Sequence, residues 1–226
     1  KPILHHALCG LEPLGDLAGV AITAPANYLE TFTQIAREAA LSYPWTVLPG
    51  GSSRQKSVYE GLNGLLSFEP GNGQLTANDP TAIVVSHDAA RALTPIAQCE
   101  SVCQAVESGC PAVVPATELI DTVREVKGDT FTRQGLNIPP AGSTPDRSRL
   151  RCVQTPHGFA GDILFADYDR DRDDSISAGE AVDDAVLVAG LGHEQYFVPG
   201  SMRALKITYP LDLKLATWLA ENPDRD

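Results

Sequence analysis

Ile83-Val84-Val85-Ser86-His87-Asp88-Ala89-Ala90-Arg91 is the stretch on which the fold turns. Its first half is apolar and β-branched, as a strand buried on both faces must be. Its second half is a carboxylate, two alanines and a guanidinium. In a parallel sheet the carboxyl ends of strands open into the ligand crevice, which is where Asp88 and Arg91 belong. A carboxylate there can hold a divalent cation, and an arginine three residues on can grip a phosphate. The alanines let a ligand approach the backbone closely. A strand ending in a solvated Asp-Arg pair is the other reading this segment admits.

Outward from that strand, short apolar runs alternate with helical patterns. Gly19-Val20-Ala21-Ile22, Trp45-Thr46-Val47-Leu48 and Ala112-Val113-Val114 read as further strands. Helices are expected over 28–40, 57–66 and 95–107, the last with a proline near its start. The alternation predicts an α/β fold: a Rossmann-like, doubly wound, mostly parallel sheet with right-handed crossovers and 83–86 central in it. The rhythm breaks between Pro115 and Thr155. There Thr122–Val126 and Thr130–Thr132 flank Lys127-Gly128-Asp129, which predicts a hairpin. A helix over 158–168, a strand over 195–198, Lys206-Ile207-Thr208 and a helix over 210–220 complete the expected layout. All of 1–226 reads as one domain.

Composition narrows the class. The formal charge of −12 disfavours nucleic acid and anionic membranes as partners, although an anionic substrate could still enter a locally basic pocket. No apolar run approaches the roughly 18 residues of a spanning helix, and no secretory signal is visible. The opening Lys1-Pro2-Ile3-Leu4 looks like the middle of a longer sequence. Five cysteines without a CxxC pair argue for a reducing, cytoplasmic compartment, with Cys99 and Cys103 as small buried hydrophobes.

Three further clusters could carry chemistry. Gly50-Gly51-Ser52-Ser53-Arg54-Gln55-Lys56-Ser57 sets glycines, hydroxyls and cations at a helix start, where exposed N–H groups favour anionic or carbonyl-rich ligands. A serine-capped helix without a ligand explains it equally well. Arg147, Arg149 and Arg151 put three arginines within five residues, either around a phosphate or along a solvated strand face. Asp169–Glu180 has acidic residues at positions 1, 3, 5 and 12 of an EF-hand-like loop. Asp174 stands at its sixth position where glycine should turn, so a solvated acidic loop is the expectation.

The order GGSSRQKSVYEGL, VVSHDAARALT, VVPATELIDTVREV, TPDRSRL, QTPHGF, VDDAVLV and LKITYPLDL resembles the 2-C-methyl-D-erythritol 4-phosphate cytidylyltransferase family from Lys1 to about Leu219. The resemblance implies a homodimer with a protruding β-arm, here about 115–153. It implies CMP transfer from CTP to methylerythritol phosphate, with Mg²⁺ as cofactor. By similarity Gly50, Gly51, Ser52 and Ser57 would contact the cytidine base, and Ala89 would lie near the nucleotide. Asp88 matches the Mg²⁺ ligand and, with Lys206, the catalytic pair. Arg91 would hold the second substrate. Thr122, Arg147 and Thr155 match arm-borne residues reaching the partner's substrate, and Lys206 the cation at its phosphate.

Departures from the family pattern are Ala92 for a usual proline, His157 for a glutamine, an apparent insertion at Thr117–Ile120, and Ala204-Leu205 before Lys206. The family's glycine-rich opening loop, with its arginine and Pro-Lys-Gln element, has no counterpart here, and a chain without it is expected to bind CTP poorly. The neighbouring family acting on ribitol 5-phosphate is the alternative; Ala90 favours the methylerythritol branch. A non-catalytic degenerate homologue is the other.

Overall fold

The computed structural model describes residues 1–15, 17–68, 76–77, 79–173, 184–190 and 192–223, apart from the side chains of 167, 169–173 and 187. The calcium-like stretch therefore lies outside the described residues beyond its first few backbone positions, which continue a helix.

An N-terminal helix that the patterning did not anticipate, α1 (Ile3–Leu11), precedes β1 (Val20–Ala24), α2 (Leu29–Ala39) and β2 (Trp45–Pro49). The two strands pair in parallel, Val20 opposite Trp45 through Ala24 opposite Pro49. Leu4, Leu8, Ile22 and Ala36 form their buried seam, with Phe32, Trp45 and Val47 packed around it. Next come α3 (Arg54–Leu65), β3 (Ile83–Ser86), α4 (Ile96–Glu107) and β4 (Ala112–Glu118). The expected 57–66 helix thus begins three residues early. Ser53 caps it, its Oγ accepting from the Lys56 N–H at 3.2 Å.

The second half holds the corrections. The expected 158–168 helix is first a strand, β8 (His157–Ala160), and only then α5 (Gly161–Asp173). β8 inserts antiparallel between β3 and β4. β3 is accordingly at the end of the five-stranded sheet, not at its centre; β4 is central, with β9 (Gln195–Pro199) parallel along its other edge. Gly158 makes the insertion possible. A Cβ there would lie 2.3 Å from Val102 Cγ1, so only glycine lets α4 seat on this strand. The sheet is also divided: β1 and β2 share no ladder with β3 among the described residues. Continuity comes from α3, which packs on both.

Two layers of helix cover the five-stranded sheet. Leu62 of α3 and Leu164, Phe165 and Tyr168 of α5 join Val84, Val114 and Phe159 in one core. Ala185 and Val188 of α6 (Asp184–Gly190) complete it. Val102 and Val106 of α4 meet Val113 on the opposite face. The chain ends in α7 (Pro210–Glu221), whose Asp212 accepts from the Thr208 and Tyr209 N–H groups at 2.9 and 2.7 Å.

The β-arm leaves from β4. Its hairpin is β5 (Phe131–Arg133) with β6 (Leu136–Ile138), turning at Gln134-Gly135, not at Lys127-Gly128-Asp129. Both turn residues have positive φ, 51° and 78°, which a two-residue hairpin of this twist requires. Thr122–Val126 therefore does not pair with Thr130–Thr132; Val126 bridges Ala141 instead. The return strand β7 (Arg151–Val153) pairs antiparallel with the end of β4. Val113 faces Gly158 but Ala116 faces Val153. Three steps along β4 thus correspond to five along its neighbour, and two residues bulge out at Gln154-Thr155-Pro156.

Candidate active site

The bulge, the end of β3 and the loop before α7 converge on Asp88. Its backbone N–H donates to Thr155 Oγ1 at 3.0 Å, and its Oδ2 lies 2.9 Å from Lys206 Nζ. Burial works to raise the Asp88 carboxyl. The Lys206 hydrogen bond and charge outweigh it, with Arg54 and Arg91 adding to the pull, and hold the group below its ordinary 3.8. Asp88 is therefore an anion at neutral pH.

The loop carrying Lys206 is stitched to the 88–91 turn twice more. Ile207 N–H donates to the Ala90 carbonyl at 2.9 Å, and Arg91 Nη1 donates to the Ala204 carbonyl at 2.7 Å. Arg91 Nη2 reaches the Val153 carbonyl at 3.3 Å, so the guanidinium also ties in the root of the arm. Arg91 Nε is buried and finds no partner among the described residues. Burial lowers the Arg91 pKa, with Asp88 opposing.

Thr155 is not on the exposed arm. It is 5% exposed. Its hydroxyl accepts from the Asp88 N–H and is hydrogen-bonded to His87 Nδ1, 3.0 Å away, while its carbonyl accepts from Gln98 Nε2 at 3.2 Å. Burial pushes the His87 pKa down to about 4, leaving a neutral ring that can accept. Thr122 and Arg147 are on the arm, exposed; Arg147 donates to the Ile120 carbonyl at 2.9 Å. Neither shares a hydrogen bond or ion pair with Asp88 or Lys206 within one chain, among the described residues.

The Gly50–Ser57 turn sits where β2 ends and α3 begins. Gly50 N–H donates to the Ala24 carbonyl at 2.9 Å. A Cβ on Gly51 would fall 2.3 Å from Lys56 Cβ, so the turn closes only with glycine there. Ser57 Oγ donates to the Ser53 carbonyl at 2.8 Å, and Lys56 Nζ to Ser52 Oγ at 3.3 Å. Ala89 follows Asp88 at the end of β3 and is exposed.

Sequence reasoning placed Arg54 among the cations of a helix start without singling it out, and missed Asp184. Arg54, the first of α3, is ion-paired at 2.8 Å with Asp184, the first of α6. Burial works against the Arg54 charge, but Asp184 beside it prevails and raises its pKa, with Asp88 contributing. The detectable signal was a carboxylate on the same run as Ala185 and Val188, both core residues.

A site holding one ionised carboxylate fits Mg²⁺, which binds through one or two carboxylates and otherwise keeps water and substrate phosphates. No cluster of three metal-binding side chains exists among the described residues.

Residues 1–222 match the family described as 2-C-methyl-D-erythritol 4-phosphate cytidylyltransferase. The enzyme of that name from Streptomyces avermitilis is 37% identical over 217 residues, 95% of this chain and 78% of its own. That from Saccharopolyspora erythraea is 38% identical over 219 residues, 96% and 85% respectively. Among solved structures, the cytidylyltransferase of Thermus thermophilus superposes with a TM-score of 0.69 at 28% identity, covering 98% of this chain and 89% of that one. The 4-diphosphocytidyl-2C-methyl-D-erythritol synthase of Anaerococcus prevotii gives 0.78 at 20% identity, covering 98% and 90%, a likeness of fold. With residues 1–222 matched by the family model and relatives at 37–38% identity over most of the chain, the chain belongs to the 2-C-methyl-D-erythritol 4-phosphate cytidylyltransferase family.

Proposed function

We propose that the chain is a cytidylyltransferase that moves CMP from CTP onto 2-C-methyl-D-erythritol 4-phosphate in isoprenoid precursor synthesis, a reading that family membership supports directly. A phosphate oxygen of the sugar-alcohol phosphate attacks the α-phosphorus of CTP in line. The bond from that phosphorus to the bridging oxygen breaks, and pyrophosphate leaves. The observation that carries the reading is the Asp88–Lys206 pair at the end of β3, one cation and one anion 2.9 Å apart. Lys206 would release Asp88 to steady the incoming phosphate, and Asp88 would hold Mg²⁺. Bound Mg²⁺ supplies charge neutralisation to the triphosphate and its leaving group. The rest is positioning by fixed charges.

Gly50, Gly51, Ser52 and Ser57 are assigned to the cytidine base, with Ala89 beside the nucleotide. Arg91 is assigned to the second substrate, and Thr155 to that substrate's pocket as well as to the Asp88 backbone. Thr122 and Arg147 are assigned to the site of a partner subunit, which makes the active form a homodimer joined through the arm. Five free thiols accord with a reducing, cytoplasmic setting. No helix among the described residues is long and apolar enough to cross a membrane.

The test is pyrophosphate release from CTP with methylerythritol phosphate and Mg²⁺, and with ribitol 5-phosphate in a parallel arm. Turnover with the first and little with the second is expected. Preference for ribitol 5-phosphate, or no release with either, would overturn the assignment.

A further inference from the structure

Beneath the Gly50–Ser57 turn lies the carboxylate of Asp184, 1% exposed and satisfied on both oxygens. Oδ2 accepts from Arg54 Nη1 at 2.8 Å and from Ser86 Oγ at 2.8 Å, and Oδ1 accepts from the Tyr168 hydroxyl at 2.6 Å. The three donors belong to α3, β3 and α5. Arg54 opens the helix whose first turn carries Ser57, and Ser86 lies two residues before Asp88. One buried anion therefore joins the nucleotide-facing turn to the strand end that bears the catalytic carboxylate.

Stability alone is a poor reason for such a group. Buried ion pairs are often replaceable by apolar residues of like volume at no loss, whereas a carboxylate with three fixed donors imposes direction. We propose that Asp184 is a positioning residue for nucleotide binding: by gripping Arg54 and Ser86 together it sets the Gly50–Ser57 turn at a fixed distance and angle from Asp88. The base and the triphosphate of CTP are then held in register before the second substrate arrives. The proposal rests on the cytidylyltransferase reading of the turn.

Asp184→Asn, Arg54→Met and the double variant in the full-length protein test it. Steady-state kinetics are read for each substrate, and amide exchange of residues 50–57 without ligand. Asp184→Asn should raise KM for CTP on the order of tenfold, the scale of a lost charged hydrogen bond. KM for methylerythritol phosphate should stay within about twofold, since the second substrate is assigned to Arg91 and Thr155 and not to the turn. Exchange at 50–57 should quicken ahead of the rest of the core. The double variant should be no worse than the worse single one, because both break the same link. A folded Asp184→Asn with wild-type KM for CTP overturns the proposal, as does a rise in both KM values together with general loosening. Should Asp184→Asn not fold, Arg54→Lys carries the same test, keeping the charge but losing the planar fork; a wild-type KM for CTP there overturns it too. Wild-type protein that turns over neither substrate refutes the activity reading instead, while exchange at 50–57 still decides the link.

Discussion

On the proposed reading Asp88 and Lys206 form the reactive pair, and removal of the carboxylate should be felt there first. Asp88→Ala is expected to cut turnover by on the order of 10²–10³, the loss typical of one preorganised electrostatic contact. Thermal midpoint should change little, because Lys206 is half exposed and such pairs contribute little to stability. Its neighbour His87 should contribute to the loss of stability in acid. The folded His87 value, about 4, lies below the 6.5 of an unfolded histidine. The unfolded chain therefore takes up that proton first as pH falls, and stability drops between pH 6.5 and about 4, by at most about 3 kcal/mol. Asp88 adds a separate loss only below 3.8, where its lowered carboxyl is finally protonated. Thermal melts from pH 7 to 4 should show the first decline, and His87→Gln should flatten it. Asp88 and Arg91 were visible in the sequence because strand ends and phosphate chemistry favour such residues, whereas Lys206 stood out only through the family resemblance. The role of Thr155 was not, since nothing in QTP reveals a two-residue bulge that turns a hydroxyl inward onto the Asp88 amide.

Elements were legible where hydrophobic period and strand length agreed, as in Ile83–Ser86, and illegible where two periods overlap. His157-Gly158-Phe159-Ala160 precedes a helix without an intervening turn, so the helical pattern swallows the strand. Likewise two glycine turns compete in the arm, and only the neighbour of Gly135 takes up a second positive φ. The first misreading concerns a pairing partner far off in sequence, which local propensity does not encode; the second turns on which glycine's neighbour accepts a positive φ. The strand assignment carries its own check. Gly158→Ala forces a methyl group to 2.3 Å from Val102, and should cost about 2–3 kcal/mol in denaturant unfolding as an overpacked core does. Ser53→Ala removes the α3 cap and should cost about 1 kcal/mol, with a modest rise in KM for CTP because the same residue closes the turn.

At the level of the whole molecule, the arm presents apolar surface that a lone subunit leaves in water. Ile120 is 75% exposed, Val126 66%, Leu136 64% and Phe131 51%. A cluster of this kind on a projecting hairpin marks an interaction surface. Light scattering should give a dimer mass for the full-length protein. Phe131→Glu with Leu136→Glu should shift it toward the monomer and depress turnover together, because Thr122 and Arg147 would no longer reach a neighbouring site.

The guanidinium of Arg91 has one hand on Val153, where the arm is rooted, and another on Ala204, in the loop that delivers Lys206. On the homodimer reading proposed above, a bend of the arm at its root would pull on the loop that holds the ammonium group facing Asp88. Docking of a second subunit and the setting of that pair would then share one mechanical linkage, and loosening the dimer should detune turnover even in a subunit whose own pocket is intact.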